Sequence, residues 1–284
     1  MATALIVLII LGAVVALLTA FTLVNNFWLK VNHYEIFNAP KSFNGFKILQ
    51  LSDLHNRRYG KEQALFISKI KAEKPNIIVL TGDYQYTQDI SKTLTLASAL
   101  PDIAPTYYVT GNHEYRLKPH ARILKEFDKL GLIYLDNKSV NFKKNGESIT
   151  LAGLKDLSAY RHGDEKPDKY YGVKVDYLAQ LNQLDLKTQG YKILLAHRPD
   201  FFEEYSKSKF NVVLTGHAHG GFIRLPFLKG LFAPQQGFFP KYTAGLYSAN
   251  GTTMFVHRGC GGLPVRVFNR PEIAVLKLSS SNYN

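Results

Sequence analysis

The chain has 284 residues, of which 46% are hydrophobic, a single cysteine, and a formal net charge of +13. One cysteine excludes an intrachain disulfide, and the length allows one large core without a division into two globular domains. The positive charge is typical of surfaces that meet anionic lipids, nucleic acids or phosphate-bearing substrates, although a solubilising surface beside a membrane explains it equally well. No basic run exceeds a few residues and no nucleic-acid-binding motif is present, so we expect no nucleic-acid partner.

The N-terminal segment is strongly apolar. Residues 2–24 form an almost unbroken apolar run, and no charged side chain occurs before Lys30. Such a run is long enough to cross the roughly 30 Å hydrocarbon layer as a helix. A cleaved signal peptide is the alternative, but it usually has a positive N-terminal region and a shorter apolar core. We therefore predict a single-pass transmembrane anchor over residues 1–28 in the cell membrane. A connector over residues 29–44 and one further domain over residues 45–284 are expected to follow it. The side of the membrane on which that domain lies stays open.

Apolar runs of strand length then alternate with helical patterns. Residues 46–51 and 77–80 are predicted as buried strands, and residues 62–71 as the helix between them. This is a βαβ unit, which implies a parallel pair of strands. Asn145-Gly146 indicates a hairpin turn. The remaining predicted strands are 107–109, 140–142, 149–151, 193–195, 212–214, 254–256 and 273–278, and the remaining helices are 120–130, 175–184 and 201–206.

A second βαβ series follows the first along the chain. Short strand-like pieces over residues 132–153 separate the two series. Each series ends in strands, and its helices alternate with buried apolar runs. We predict an α/β fold in which two sheets pack face to face with the helices outside.

Residue types that bind metals follow five of the predicted strands, at the point where each strand ends. In α/β sheets, ligands bind beyond the carboxyl ends of the strands. One Asp-x-His pair would be weak evidence, because aspartate often caps a following helix and histidine is often a packed core residue. Five strand ends together predict a shared site. Its candidate ligands are Asp53, His55, Asp83, Asn112, His197, His217 and His219.

Oxygen and imidazole ligands suit divalent Mn, Fe or Zn, and the lack of a thiolate cluster excludes a structural zinc finger. Seven candidate ligands exceed what one ion needs. A carboxylate can bridge two ions about 3.5–4 Å apart, which clamp phosphate oxygens and hold a hydroxide nucleophile. Gly82, Gly111 and Gly216 permit the tight turns that such a site requires. We expect two divalent ions, with Mn favoured.

In order and spacing, these motifs resemble the calcineurin-like metallophosphoesterases. The residues that carry the resemblance are Asp53-Leu-His55, Gly82-Asp83, Gly111-Asn112-His113-Glu114, His197 and Gly216-His217-Ala-His219. The stretches L-T-G-H-A-H-G-G and A-P-Q-Q-G-F-F-P-K-Y are similar to the membrane-anchored bacterial branch, which includes UDP-2,3-diacylglucosamine pyrophosphatases and cell-wall-associated phosphoesterases. The resemblance implies the family's four-layer αββα sandwich of two mixed sheets, with residues 45–284 as the catalytic domain.

The resemblance also implies a role for each site residue. Asp83 would bridge the two ions, and His113 would protonate the leaving oxygen or stabilise charge on the phosphoryl group. Glu114 would either orient His113 or lie on the surface. The first ion would be held by Asp53, His55 and His219, and the second by Asn112, His197 and His217.

Substrate contacts are less well defined. Arg57 and Arg58 follow the first motif and either bind phosphate or lie in a solvated loop. Phe222 stands where relatives in this branch often have glutamine, so the diacylglucosamine substrate is not carried over. Residues 222–242 mix aromatic and basic side chains, as in a lipid-contacting flap or a hairpin packed into the core.

The sequence thus predicts a membrane-anchored phosphohydrolase that cleaves a phosphodiester or pyrophosphate bond, of a lipid or cell-envelope molecule, by in-line attack of metal-bound hydroxide. Its expected partners are a phosphate ester substrate and the membrane, and we expect a monomer. The alternatives are a nuclease, which the basic charge permits, and a metal-binding scaffold of the same fold without turnover.

Overall fold

The computed structural model describes residues 2–116, 120–160, 170–225, 227–262 and 265–281. The helices are α1 (Ala2–Phe27), α2 (Ala64–Glu73), α3 (Ser91–Ala97), α4 (Asn112–Arg116), α5 (His120–Lys129), α6 (Tyr170–Lys187) and α7 (Phe202–Tyr205). The strands are β1 (Lys30–Ile36), β2 (Lys47–Leu51), β3 (Ile77–Thr81), β4 (Thr106–Val109), β5 (Ile133–Tyr134), β6 (Lys138–Lys144), β7 (Glu147–Gly153), β8 (Tyr191–Leu195), β9 (Val212–Thr215), β10 (Arg224–Leu225), β11 (Leu228–Gly230), β12 (Phe232–Ala233), β13 (Gly237–Phe238), β14 (Gly245–Ala249), β15 (Thr252–Val256) and β16 (Glu272–Leu278).

Twelve of these strands form two six-stranded mixed sheets, with the orders β1-β16-β2-β3-β4-β5 and β14-β15-β9-β8-β7-β6. In the first sheet, only the pair β16–β2 is antiparallel. In the second sheet, the outer pairs β14–β15 and β6–β7 are antiparallel and the inner pairs are parallel. The carboxyl ends of the parallel inner strands therefore meet at one edge of each sheet.

The two sheets pack face to face, and helices cover their outer faces. In β2, Ile48 belongs to the apolar core between the sheets, whereas Leu49 belongs to the core beneath α2, α3 and α5. In β8, Ile193 lies between the sheets and Leu194 packs beneath α6 and α7. Strands buried on both faces need continuous apolar runs, which is what the sequence has at these strands. The predicted αββα sandwich of two mixed sheets is confirmed.

Residues 29–44 were expected to form a connector, but seven of these sixteen residues form a strand of the sheet. Lys30–Ile36 form β1, which pairs in parallel with β16. β1 is an edge strand with alternating exposed and partly buried residues, so it has no long apolar run to signal it. The sheet begins directly after α1. The proposed domain boundaries are otherwise untested and stay a prediction.

The described part of residues 222–242 contains two short antiparallel strand pairs, β10–β11 and β12–β13. Phe232 packs against Phe222 and Phe238, with ring centroids 5.6 and 5.4 Å apart. Phe227 and Phe239 are exposed. Some aromatic side chains of the segment therefore pack on one another and others face outward, and contact of the segment with lipid stays a prediction.

Candidate metal centre

The seven candidate ligands come together where the carboxyl ends of the inner strands of both sheets meet. Asp53, His55, Asp83 and Asn112 follow β2, β3 and β4 of the first sheet. The three histidines of the second sheet follow β8 and β9. All seven side chains are buried: Asp53, His55, Asp83, Asn112, His197, His217 and His219.

The backbone at this site is held in a sparsely populated conformation. Five of the candidate ligands have a positive φ, between 46° and 64°: Asp53, His55, Asp83, His217 and His219. Residues other than glycine rarely adopt this conformation, and each costs roughly 1–3 kcal/mol unless the surrounding structure enforces it. The concentration of such residues in one cluster indicates that the fold stabilises this loop geometry for its side chains.

Three glycines let the loops approach each other. Gly82 has a φ of +94°, and an added Cβ would lie 2.6 Å from the backbone nitrogen of Gly111. At Gly216, an added Cβ would lie 1.9 Å from Oγ of Ser52 and 2.6 Å from Oδ2 of Asp53. The close approach expected at these positions is present, also at Gly111, where an added Cβ would lie 2.4 Å from Oδ1 of Asp83; Gly111 and Gly216 are required for this approach rather than for their φ.

The first group of ligand atoms belongs to Asp53, His55 and His219, and all lie within 4.8 Å of one another. Nε2 of His55 is 3.3 Å from Nε2 of His219, which is 3.6 Å from Oδ1 of Asp53. Burial lowers the pKa of His55 to about 4, so this ring is neutral at pH 7. Two buried imidazole nitrogens facing each other beside a carboxylate are the donor set that a cation satisfies.

The second group consists of Asp83, His197 and His217, again within 4.8 Å. Nε2 of His197 is 3.4 Å from Oδ1 of Asp83, 3.2 Å from Oδ1 of Asn112 and 3.1 Å from Nδ1 of His217. Burial opposes a charge on His197, but the carboxylate of Asp83 outweighs it and raises the pKa of His197 to about 10. The electrostatic field at this nitrogen therefore favours a positive charge.

Asp83 faces both groups with different oxygens. Oδ2 is 3.7 Å from Nε2 of His55, and Oδ1 is 3.4 Å from Nε2 of His197. A carboxylate in this position can contact two ions at once. The residues present thus fit a pair of divalent cations.

His113 lies at the open side of the cluster. Its Nε2 is 3.9 Å from Oδ2 of Asp83, and its side chain is 15% exposed. The ring stacks on Tyr86 with centroids 5.5 Å apart, and its backbone N–H donates to Oδ1 of Asp83 at 2.9 Å. A ring nitrogen of His113 also lies within 4.8 Å of ligand atoms of His55 and Asp83, so His113 can reach either an ion between these residues or a group bound over the carboxylate.

Glu114 was expected either to orient His113 or to lie on the surface, but its carboxylate instead binds backbone N–H groups in the interior. It is fully buried, and its Oε2 accepts the backbone N–H groups of Asp83 and Gly111 at 2.9 and 2.7 Å. Its Oε1 accepts the N–H of Tyr84 at 2.9 Å. Glu114 thereby ties together the loops that follow β3 and β4.

The predicted substrate residues lie in different surroundings. Arg57 donates from Nη2 to the carbonyl oxygen of Asn26 in α1 at 2.9 Å. Arg58 is exposed and lines a groove of about 500 Å³, the polar groove, together with His55. Phe222 is half-buried and packs its ring edge-on to His219, with centroids 5.9 Å apart.

The sequence analysis did not identify two residues that position the candidate ligands. Oε1 of Gln235 is hydrogen-bonded to Nε2 of His217. Nδ2 of Asn269 donates to the backbone oxygens of His219 and Phe222, at 2.7 and 3.1 Å. Gln235 lies in the A-P-Q-Q stretch noted for the resemblance, which was the available signal. Asn269 is far from the motifs in sequence and has no such signal.

The sandwich fold and this set of donors define the class of metal-dependent phosphoesterases. A family model described as calcineurin-like phosphoesterase matches residues 46–221, and the chain belongs to this family. The predicted enzyme class is confirmed.

Three relatives illustrate the similarity. The uncharacterised metallophosphoesterase YkuE of Bacillus subtilis is 32% identical over 256 residues, covering 86% of this chain and 82% of YkuE. Phosphodiesterase YaeI of Escherichia coli is 29% identical over 241 residues, covering 82% of each chain. A "transmembrane protein with metallophosphoesterase domain" of Danio rerio is 30% identical over 256 residues, covering 85% of this chain but only 55% of the relative.

Proposed function

We propose that this protein is a membrane-anchored phosphohydrolase that cleaves a phosphodiester or pyrophosphate bond of a lipid-linked or cell-envelope substrate. The observation that carries the proposal is the polar groove, which runs between His55 of the metal centre and Phe27 at the end of α1. A substrate in this groove touches both the candidate metal ligands and the end of an apolar helix.

α1 supports the membrane anchor. Among the described residues, it is the one helix that is long and apolar enough to cross a bilayer, and its residues 3–20 and 22–24 are exposed. Some relatives are named as transmembrane proteins with the same domain. We place the anchor at residues 1–28 and the catalytic domain after it, with β1 included.

The proposed site roles are those that the resemblance implies, and the groups around Asp53 and around His197 support them. Asp53, His55 and His219 would hold one divalent ion, and Asp83 would be shared between the two. Asn112, His197 and His217 would hold the other, and we favour Mn for both. When bound, two such ions neutralise charge on the phosphoryl group and supply a nucleophile from water at neutral pH.

The other residues bind and orient the substrate. His113 donates a proton or a hydrogen bond to the leaving oxygen, and Tyr86 holds its ring by stacking. Arg58 offers a guanidinium to the phosphate oxygens in the polar groove. The presence of His113 and of every candidate ligand in one cluster supports turnover over a scaffold role.

The test uses the full-length chain in detergent with Mn²⁺, on bis-p-nitrophenyl phosphate beside a single-stranded DNA oligonucleotide. The proposal expects metal-dependent hydrolysis of the small diester and none of the DNA. A higher kcat/KM on DNA would instead identify a nuclease. Metal binding without turnover of either substrate would support the scaffold.

A further inference from the structure

A second groove adjoins the polar groove, and Phe27 lines both of them. The polar groove contains His55, Asn56, Arg57, Arg58 and Lys92. The second, which we call the apolar groove, has a volume of about 430 Å³ and is lined by Leu23, Val24, Phe27, Trp28, Leu29 and Leu65, with Lys69 also present. The two grooves thus share a lining residue at the end of α1.

The polar groove is suited to an anion. Arg58 and Lys92 are exposed cations within it, and none of its described lining residues is acidic. His55 belongs to the first group of candidate metal ligands. A phosphate in this groove would therefore meet cationic side chains on one side and the metal centre on the other.

The apolar groove is suited to a hydrocarbon chain. Six of its seven lining residues are apolar, and Leu23, Trp28 and Leu65 leave much of their side chains exposed. A continuous exposed apolar surface of this kind indicates a contact with lipid, ligand or protein. Because Leu23, Val24 and Phe27 of this surface belong to α1, the proposed membrane anchor, we favour lipid as its contact.

The junction between the grooves is held in place by Arg57. Its Nη2 donates to the carbonyl oxygen of Asn26 at 2.9 Å, and its guanidinium carbon lies 4.1 Å from the ring centroid of Phe27. Carbonyl oxygens in the last turn of a helix have no partner within the helix, so a cation there is favourable. Arg57 therefore fixes the end of α1 against the catalytic domain.

A second contact joins the catalytic domain to α1. The rings of Phe21 and Phe268 meet edge to face, with centroids 5.0 Å apart. Phe21 precedes Phe27 by about 9 Å along the helix axis. The catalytic domain thus touches α1 within its apolar length at Phe268, while the two grooves lie at the end of that length, which the proposed anchor would bring to the lipid headgroups.

We infer that the apolar groove binds the hydrocarbon chain of a substrate whose phosphate lies in the polar groove. This inference rests on the proposed function and names its substrate class: a phosphoester with a long alkyl, acyl or prenyl chain, taken directly from the bilayer. Phe27 and Arg57 divide the chain from the phosphate.

The test compares hexadecyl p-nitrophenyl phosphate with methyl p-nitrophenyl phosphate, which share the scissile bond and differ in chain length alone. The full-length chain is assayed in micelles of constant composition. Wild type is expected to have the higher kcat/KM on the hexadecyl ester. Leu65→Gln, at a side chain that is 46% exposed, lowers the hexadecyl-to-methyl ratio of kcat/KM roughly tenfold, and Leu65→Ala lowers it less.

The matched control is Leu186→Gln, at a leucine of α6 that is 82% exposed and lines neither groove. It leaves the ratio at the wild-type value. An unchanged ratio in both Leu65 variants would overturn the inference, since partition of the ester into micelles would then explain any chain preference. Hydrolysis of neither ester would overturn the proposed function itself.

Discussion

The Nδ1–H of His197 donates to the backbone oxygen of Thr81 at 2.7 Å, and this bond turns Nε2 of the same ring toward Asp83 and Asn112. Thr81 is the last residue of β3, whereas His197 follows β8 of the other sheet. Hydrogen bonds of this kind fix the tautomer and direction of a metal-binding imidazole. The packing of the two sheets therefore sets the geometry of the candidate metal centre.

Asp83→Asn is expected to remove activity and to lower metal content together. The amide keeps the size of the side chain but not its charge, and both groups of ligand atoms include or adjoin Asp83. Metal analysis of the purified chain and hydrolysis of bis-p-nitrophenyl phosphate check this. Full metal retention with full activity would contradict the bridging role.

His113→Ala is expected to lower kcat by about 10²–10⁴-fold while the metal content stays near the wild-type value. His113 is the partly exposed member of the cluster, whereas the seven candidate ligands are buried. The same exchange at His33, whose side chain in β1 is 63% exposed, serves as the control, with kcat close to wild type. A loss of metal in His113→Ala as large as in Asp83→Asn would identify His113 as a ligand instead.

Glu114→Gln is expected to weaken metal binding about 10–100-fold and to destabilise the fold by about 1–3 kcal/mol. The two carboxylate oxygens of Glu114 accept three backbone N–H groups. The NH₂ group of glutamine must face at least one of these donors, so a buried N–H loses its partner. Metal titration and thermal unfolding measure the two effects.

The control for Glu114→Gln is the same exchange at Glu62, which is exposed. Glu62→Gln should change neither measurement. If Glu114→Gln changed neither metal binding nor stability, the three backbone hydrogen bonds would have no part in holding the loops that follow β3 and β4.

Gly262→Ala is expected to disturb the first metal group. Gly262 has a φ of +80°, and an added Cβ would lie 2.1 Å from Cδ2 of His55. Gly131 has the same φ with nothing within 4 Å of an added Cβ, so Gly131→Ala isolates the backbone cost of about 1 kcal/mol. Metal content should fall in Gly262→Ala alone; an equal content in both variants would show that the ring of His55 moves aside freely.

Much of the fold could be predicted because both faces of the inner strands are buried. Residues 46–51, 77–80, 193–195 and 212–214 were predicted as strands from short apolar runs, and each overlaps a strand of the structure. The helix predicted at 62–71 begins two residues later, at Ala64, because Gln63 is in a left-handed conformation. A strand that is buried on both faces has a continuous apolar run, which is easily recognised in a sequence.

Features that depend on tertiary contacts could not be predicted. β1 has polar residues along an edge and is recognised as a strand by its pairing with β16. The hydrogen bonds of Glu114 join two loops whose approach follows from sheet packing. Asn269 reaches His219 and Phe222 across about 50 residues of sequence. No local pattern encodes such contacts.

The candidate ligands were found because residue type and strand ends coincide five times along the chain. Their division into two groups was implied by the resemblance to the metallophosphoesterases. The distances between them could be learned only from the structure. The roles assigned to individual residues stay predictions.

The most direct test of the two-metal account is a titration of the metal-stripped, full-length chain with Mn²⁺, with bound metal and hydrolysis of bis-p-nitrophenyl phosphate measured on the same samples. The account predicts no turnover without metal and a maximum as bound Mn²⁺ approaches two ions per chain. Full turnover by the metal-free chain, or a maximum at one bound ion, would contradict it.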